Sequence, residues 1–107
     1  MTEIKEKLFQ VLVDIINLLS QCGWEDKAGW FSKKLEILRS LNPQSQTFEK
    51  ELREIRNILI GMGSFSDLPM YPKGGARLAE QDARNRQWEL ADKLAGIIDD
   101  LLKNDSK

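Results

Sequence analysis

Apolar residues recur along this chain at intervals of three and four, the period of helices that each turn one face inward. Over residues 3–22 the series is Ile4, Leu8, Val11, Leu12, Ile15, Leu18 and Leu19, widened by Phe9, Val13 and Ile16. This predicts a first helix with a broad buried face. Thr2 suits its N-cap, and Gly23 suits the left-handed position that follows its end. A narrower seam of Trp24, Ala28, Phe31, Leu35 and Leu38 predicts a second helix over residues 25–41, with Glu25 and Asp26 in the first turn, where the helix dipole favours negative charge. Asn42-Pro43 ends it, because a residue before proline is pushed out of the helical region.

The third helix, over residues 46–60, is capped by Ser45 or Thr47 and carries Phe48, Leu52, Ile55, Leu59 and Met62, with Gly61 as its stop. The fourth, over residues 77–103, carries Ala79, Ala83, Leu90, Leu94, Ile97, Ile98 and Leu101. Arg86 and Gln87 fall where that seam should pass, so its first half reads as a weak amphipath lying against loop and solvent rather than core. No alternating strand pattern, internal repeat or low-complexity tract appears. Short links at Gly23 and Asn42-Pro43 fold each helix back on its predecessor. The expectation is a single all-α domain over residues 1–107, a four-helix bundle with one long Gly/Pro-containing loop, residues 61–76, before the last helix.

Length and charge narrow the picture. At 107 residues the chain fits one domain with a core of its own. Sixteen basic and seventeen acidic residues leave a net charge of −1, which lacks the basic footprint of a nucleic-acid binder. The acids concentrate late: between residues 89 and 105, Glu89, Asp92, Asp99, Asp100 and Asp105 face only Lys93 and Lys103. Cys22 is the single cysteine, so an internal disulfide is excluded and a reducing compartment is expected. The apolar run from Leu8 to Leu19 is too short and too polar to span a bilayer, and no signal segment is visible. The expected location is the cytoplasm, with neither a membrane nor a nucleic-acid partner; the oligomeric state stays open.

The chemistry on offer is sparse. The chain has no histidine, which removes Ser-His and Cys-His nucleophilic systems and most zinc and iron sites. Gly61-Met62-Gly63 follows a helix rather than opening one and lacks the lysine of a phosphate-binding loop. Glu51-x-x-Glu54 and Glu89-x-x-Asp92 echo the magnesium-binding carboxylates of all-helical nucleotide pyrophosphohydrolases. Their helical phase opposes that reading, since Glu54 lies roughly 120° from the apolar seam of its helix and Asp92 opposite Leu90 and Leu94. Surface charge is the expectation, with no catalytic residue, no metal and no cofactor. Trp24 is in phase with its seam and reads as core. Trp30 is out of phase and supports the loop or meets a partner, while Trp88 is open between the two. Cys22 reads as a small apolar filler.

The loop stands apart, because structureless connections longer than about 12–15 residues are uncommon in compact domains. Met62, Phe65, Leu68, Met70 and Tyr71 give it apolar anchors, Gly61 and Gly63 permit unusual backbone angles, and Ser64 and Asp67 can hold local N–H groups. It is either a packed turn that fixes the last helix against the third or a preformed recognition surface, and the two are compatible.

The block at 61–68, Gly-Met-Gly-Ser-Phe-Ser-Asp-Leu, with Trp30 and Leu35 upstream in Ala-Gly-Trp-Phe-Ser-Lys-Lys-Leu, resembles a family of small bacterial helical domains of unknown function. That family shares Gly-Met-Gly-Ser-(Phe/Leu)-Asn-Asp-(Leu/Val) after a helix and a tryptophan in the helix before it. The resemblance covers residues 8–101, and its specific part is the eight-residue block with Trp30. Ser66 stands in place of asparagine, which puts one side-chain hydrogen bond of the turn in doubt. The resemblance implies a structural loop built on Trp30, Gly61, Met62, Gly63, Ser64 and Leu68. Its members are similar in size and style to immunity proteins that neutralise bacterial toxins. The expected function is therefore a non-enzymatic module that occludes a cognate toxin domain. Its contacts are Phe65, Asp67, Met70, Tyr71 and Lys73 of the loop, or the acidic face at Asp92, Asp99 and Asp100, which suits a basic partner. The rivals are a magnesium-dependent nucleotide hydrolase and a small structural or regulatory subunit.

Overall fold

Four helices make up a computed structural model of the chain, which describes residues 2–42, 45–59, 65, 68 and 80–105. They are α1 (Thr2–Gln21), α2 (Glu25–Ser40), α3 (Gln46–Asn57) and α4 (Glu80–Asp105). Among the described residues no strand occurs. Each helix packs on its neighbours in the order α1, α2, α3, α4 and back to α1, which is an all-α four-helix bundle.

The buried positions are those the periodicity marks. Leu8, Leu12, Ile15 and Leu19 of α1 meet Phe31, Leu35 and Leu38 of α2, Phe48, Leu52 and Ile55 of α3, and Leu90, Leu94 and Ile98 of α4 in one core. Trp24 is half-buried against its edge. Cys22 is a free thiol, also half-buried, and burial pushes its pKa up, so it stays protonated as a small filler.

The helix ends follow from local chemistry. At the end of α1, Gly23 has φ 83°, its N–H donates to Ser20 O at 3.2 Å, and Trp24 N–H donates to Leu19 O at 2.8 Å. This paired closure needs a left-handed residue, which glycine takes without a Cβ clash. At the start of α3, Ser45 is the cap: its Oγ accepts from Phe48 N at 3.1 Å.

Two ends depart from the sequence expectation. Helix α3 stops at Asn57, short of residue 60 and before Gly61, because Ile58 and Leu59 donate back three residues to Ile55 and Arg56, a tighter turn that ends the helix. Ile58 O then accepts from Phe65 N at 2.6 Å, so the chain is already turning into the crossover. Helix α4 is described from Glu80; the expected start at residue 77 lies outside the described residues.

The first half of α4 is also more buried than its composition suggests. Ala83 is wholly buried and Gln87 is 1% exposed. With Leu90, Leu94, Ile98 and Leu101 they form one seam at spacings of four, three, four, four and three. The expectation that this half lies against loop and solvent rather than core fails at Ala83, which is in the core, and holds at Gln87, which is buried against loop residues Phe65 and Leu68.

Candidate binding cleft

A buried glutamine in an apolar seam must find partners for its amide. Gln87 finds them in the crossover: its Nε2 donates to Phe65 O at 2.6 Å and to Leu68 O at 2.8 Å. Two carbonyl acceptors use both donors of the carboxamide. The side chain that looked like a flaw in α4 is thus the tie that holds Phe65 and Leu68 to the bundle. Phe65 completes the attachment. Its ring is 2% exposed and meets Phe31 edge-to-face at 5.8 Å and 72°. Phe65 is therefore a buried core residue that also lines the cleft, rather than part of an exposed surface.

Between α2 and the residues Ile58, Phe65 and Leu68 lies a cleft of about 290 Å³, lined by these three with Asp26, Lys27, Trp30 and Phe31. Trp30 is half-buried and stands edge-to-face with Phe31 at 5.1 Å and 83°. It lies beside the crossover, as its phase suggests, with part of its surface open. Asp26 and Lys27 are exposed and bring opposite charges to the mouth. Of the expected loop residues, Leu68 lines this cleft. Asp67, Met70, Tyr71, Lys73, Gly61, Met62, Gly63 and Ser64 lie outside the described residues.

Trp30 is backed by a charge cluster. The Lys34 ammonium sits 5.2 Å from the centre of its ring and donates to Glu51 Oε2 and Glu54 Oε2, each at 2.5 Å. Lys34 and Glu51 keep 14% of their side-chain surface, Glu54 43%. Burial alone would lower the Lys34 pKa, but the hydrogen bonds and charges of both glutamates outweigh it and hold the amine above the ordinary lysine value. The Lys34 hydrogen bond and charge, with Lys50 adding a smaller effect, hold Glu54 below the usual carboxylate range. The Glu51-x-x-Glu54 pair is thus engaged by an internal cation that joins α2 to α3.

The acidic face is separate from the cleft. Asp92 and Asp100 are exposed on α4, and Asp99 accepts from Arg56 Nε at 3.1 Å. Glu89 meets Arg86 at 3.5 Å, and Arg86 also reaches Asp14 at 3.5 Å. Among the described residues no group of three acidic or thiol ligands converges as a metal site. Trp88 is 54% exposed on the same helix.

Comparison with protein-family models, curated proteins and solved structures finds no match. No described helix is long and apolar enough to cross a membrane.

The sequence pointed to Trp30 and to the crossover but missed three contributors. Gln87 was visible as a polar residue in an apolar register, a signal that a buried hydrogen-bond acceptor faces it. Lys34 lies 17 and 20 residues from its glutamates, a separation that no helical spacing connects. Ile58 entered the cleft because α3 ends early.

Proposed function

We propose that this chain is a non-enzymatic protein-binding module, a bacterial immunity protein that silences a cognate toxin domain by steric occlusion in the cytoplasm. The observation that carries the reading is the cleft between Trp30 and the crossover, an apolar recess walled by side chains that the fold already holds in place. A wall that is fixed before binding loses little freedom on association, which favours tight complexes. A half-exposed tryptophan in such a recess is the residue type that dominates binding energy at protein interfaces. The resemblance of residues 61–68 and Trp30 to small bacterial helical domains supplies the biological setting.

Two features weigh against the nucleotide-hydrolase alternative. The described walls of the cleft are largely aromatic and aliphatic, with Lys27 as their single cation. The Glu51 and Glu54 carboxylates, the best candidates for holding a phosphate-bound cation, are already bridged by Lys34. The exposed acids Asp92 and Asp100 contribute long-range attraction for a basic partner rather than the contact itself.

The test is a pull-down from the source strain with the whole chain as bait, followed by production of the recovered protein in a bacterial host. The proposal expects one dominant partner that arrests growth alone and is silenced when the chain is co-produced. A harmless partner, or none, contradicts it.

A further inference from the structure

The cleft is lined by a ladder of rings. Trp30 meets Phe31 at 5.1 Å and 83°, and Phe31 meets Phe65 at 5.8 Å and 72°, so successive rings present edge to face. Phe31 and Phe65 are enclosed, each 2% exposed, while Trp30 at the open end keeps free surface. Aromatic pairs favour this geometry because the electron-poor edge of one ring faces the electron-rich face of the next. A further ring entering the cleft extends the series, and Ile58 and Leu68 supply apolar contact on the crossover side. A volume of about 290 Å³ is ample for one large aromatic side chain. At the mouth, Asp26 offers an acceptor and Lys27 a donor, the complement of the N–H and C=O that flank any residue in a peptide chain.

We infer that the cleft accepts one aromatic side chain carried on an extended segment of the protein partner. Its ring packs against Trp30, and the adjoining peptide N–H and C=O meet the Asp26 carboxylate and the Lys27 ammonium. The inference rests on the protein-binding reading for its biological partner, but its chemistry is tested without one.

The probe is N-acetyl-phenylalanine methylamide, with N-acetyl-leucine methylamide as the aliphatic control, titrated into the isotope-labelled full chain. The three tryptophan indole N–H signals report separately. The expected result is a saturable shift of the Trp30 indole and of the Ile58 and Phe65 amides, with the Trp24 and Trp88 indoles unmoved. The leucine compound should bind about threefold or more weakly, the ratio an aromatic pair contributes. Ile58→Trp, which fills the cleft, should abolish the shift. If that variant folds poorly, the double variant Asp26→Asn and Lys27→Gln should weaken the phenylalanine probe while leaving the fold intact. No saturable shift at millimolar probe, equal binding of the leucine compound, or shifts centred on Trp88 would overturn the inference. A toxin partner recovered by the bait, together with a silent probe, would leave the immunity reading standing and remove only the aromatic anchor. A binding probe with no partner recovered would do the reverse.

Discussion

Gln87 shows how one residue can set the geometry of a site it does not line. A leucine there would continue the α4 seam, and by hydrophobic pattern alone would be the better choice. It would also leave the Phe65 and Leu68 carbonyls facing an apolar side chain. Stranding these two acceptors costs about 1–3 kcal/mol each, together more than the roughly 1.5–3 kcal/mol that burying a leucine returns. Gln87→Leu should therefore not stabilise the protein. We expect its urea midpoint to fall, by an amount equivalent to roughly 1–3 kcal/mol, and amide exchange at Phe65 and Leu68 to accelerate beyond the change in global stability. A variant more stable than wild type with unchanged exchange would show that the crossover is held by Phe65 packing alone.

Between elements, the Lys34 cluster ties α2 to α3 through charge. Glu54 is held below its ordinary pKa, so its contribution is present above the unfolded carboxylate value and is lost as pH falls through the depressed folded value. Lys34 is held above its ordinary pKa, so its contribution persists below the unfolded amine value and is lost as pH rises past the folded one. Stability measured by denaturant titration should decline below about pH 4. Glu54→Gln should flatten part of that decline, and Lys34→Met should flatten the same part while lowering stability at neutral pH. An acid limb unchanged in both variants would place the titrating groups elsewhere.

The same scale shows what a one-dimensional reading can and cannot see. Helix existence was legible because Leu8, Leu12, Ile15 and Leu19, or Leu90, Leu94 and Ile98, repeat at the helical period and are buried for that reason. Gly23 and Ser45 were legible as ends because left-handed closure and side-chain capping are local events. The early end of α3 was not, since the bond from Phe65 N to Ile58 O joins positions seven apart in sequence, which no helical spacing connects. The site divided along the same line. Trp30 announced itself by being out of phase, whereas Gln87, Lys34 and the burial of Phe65 depend on which helices become neighbours. Phe65 read as a contact residue because an aromatic in a glycine-rich loop has no register to betray that it points inward.

At the scale of the molecule, the bundle measures 46 × 24 × 23 Å with a radius of gyration of 13.9 Å, near the roughly 13 Å expected of a compact domain of this length. Within it, one flank carries the cleft at α2 and the crossover, and the outer side of α4 carries Asp92, Asp100 and Trp88. Under the proposed function the first makes contact and the second supplies attraction. Backbone amide exchange of the chain, followed with and without the growth-arresting partner, separates the two. The account predicts that the slowing on complex formation is greatest over residues 26–31 and at Ile58, Phe65 and Leu68. Slowing centred on residues 88–100, with the cleft unchanged, would contradict it.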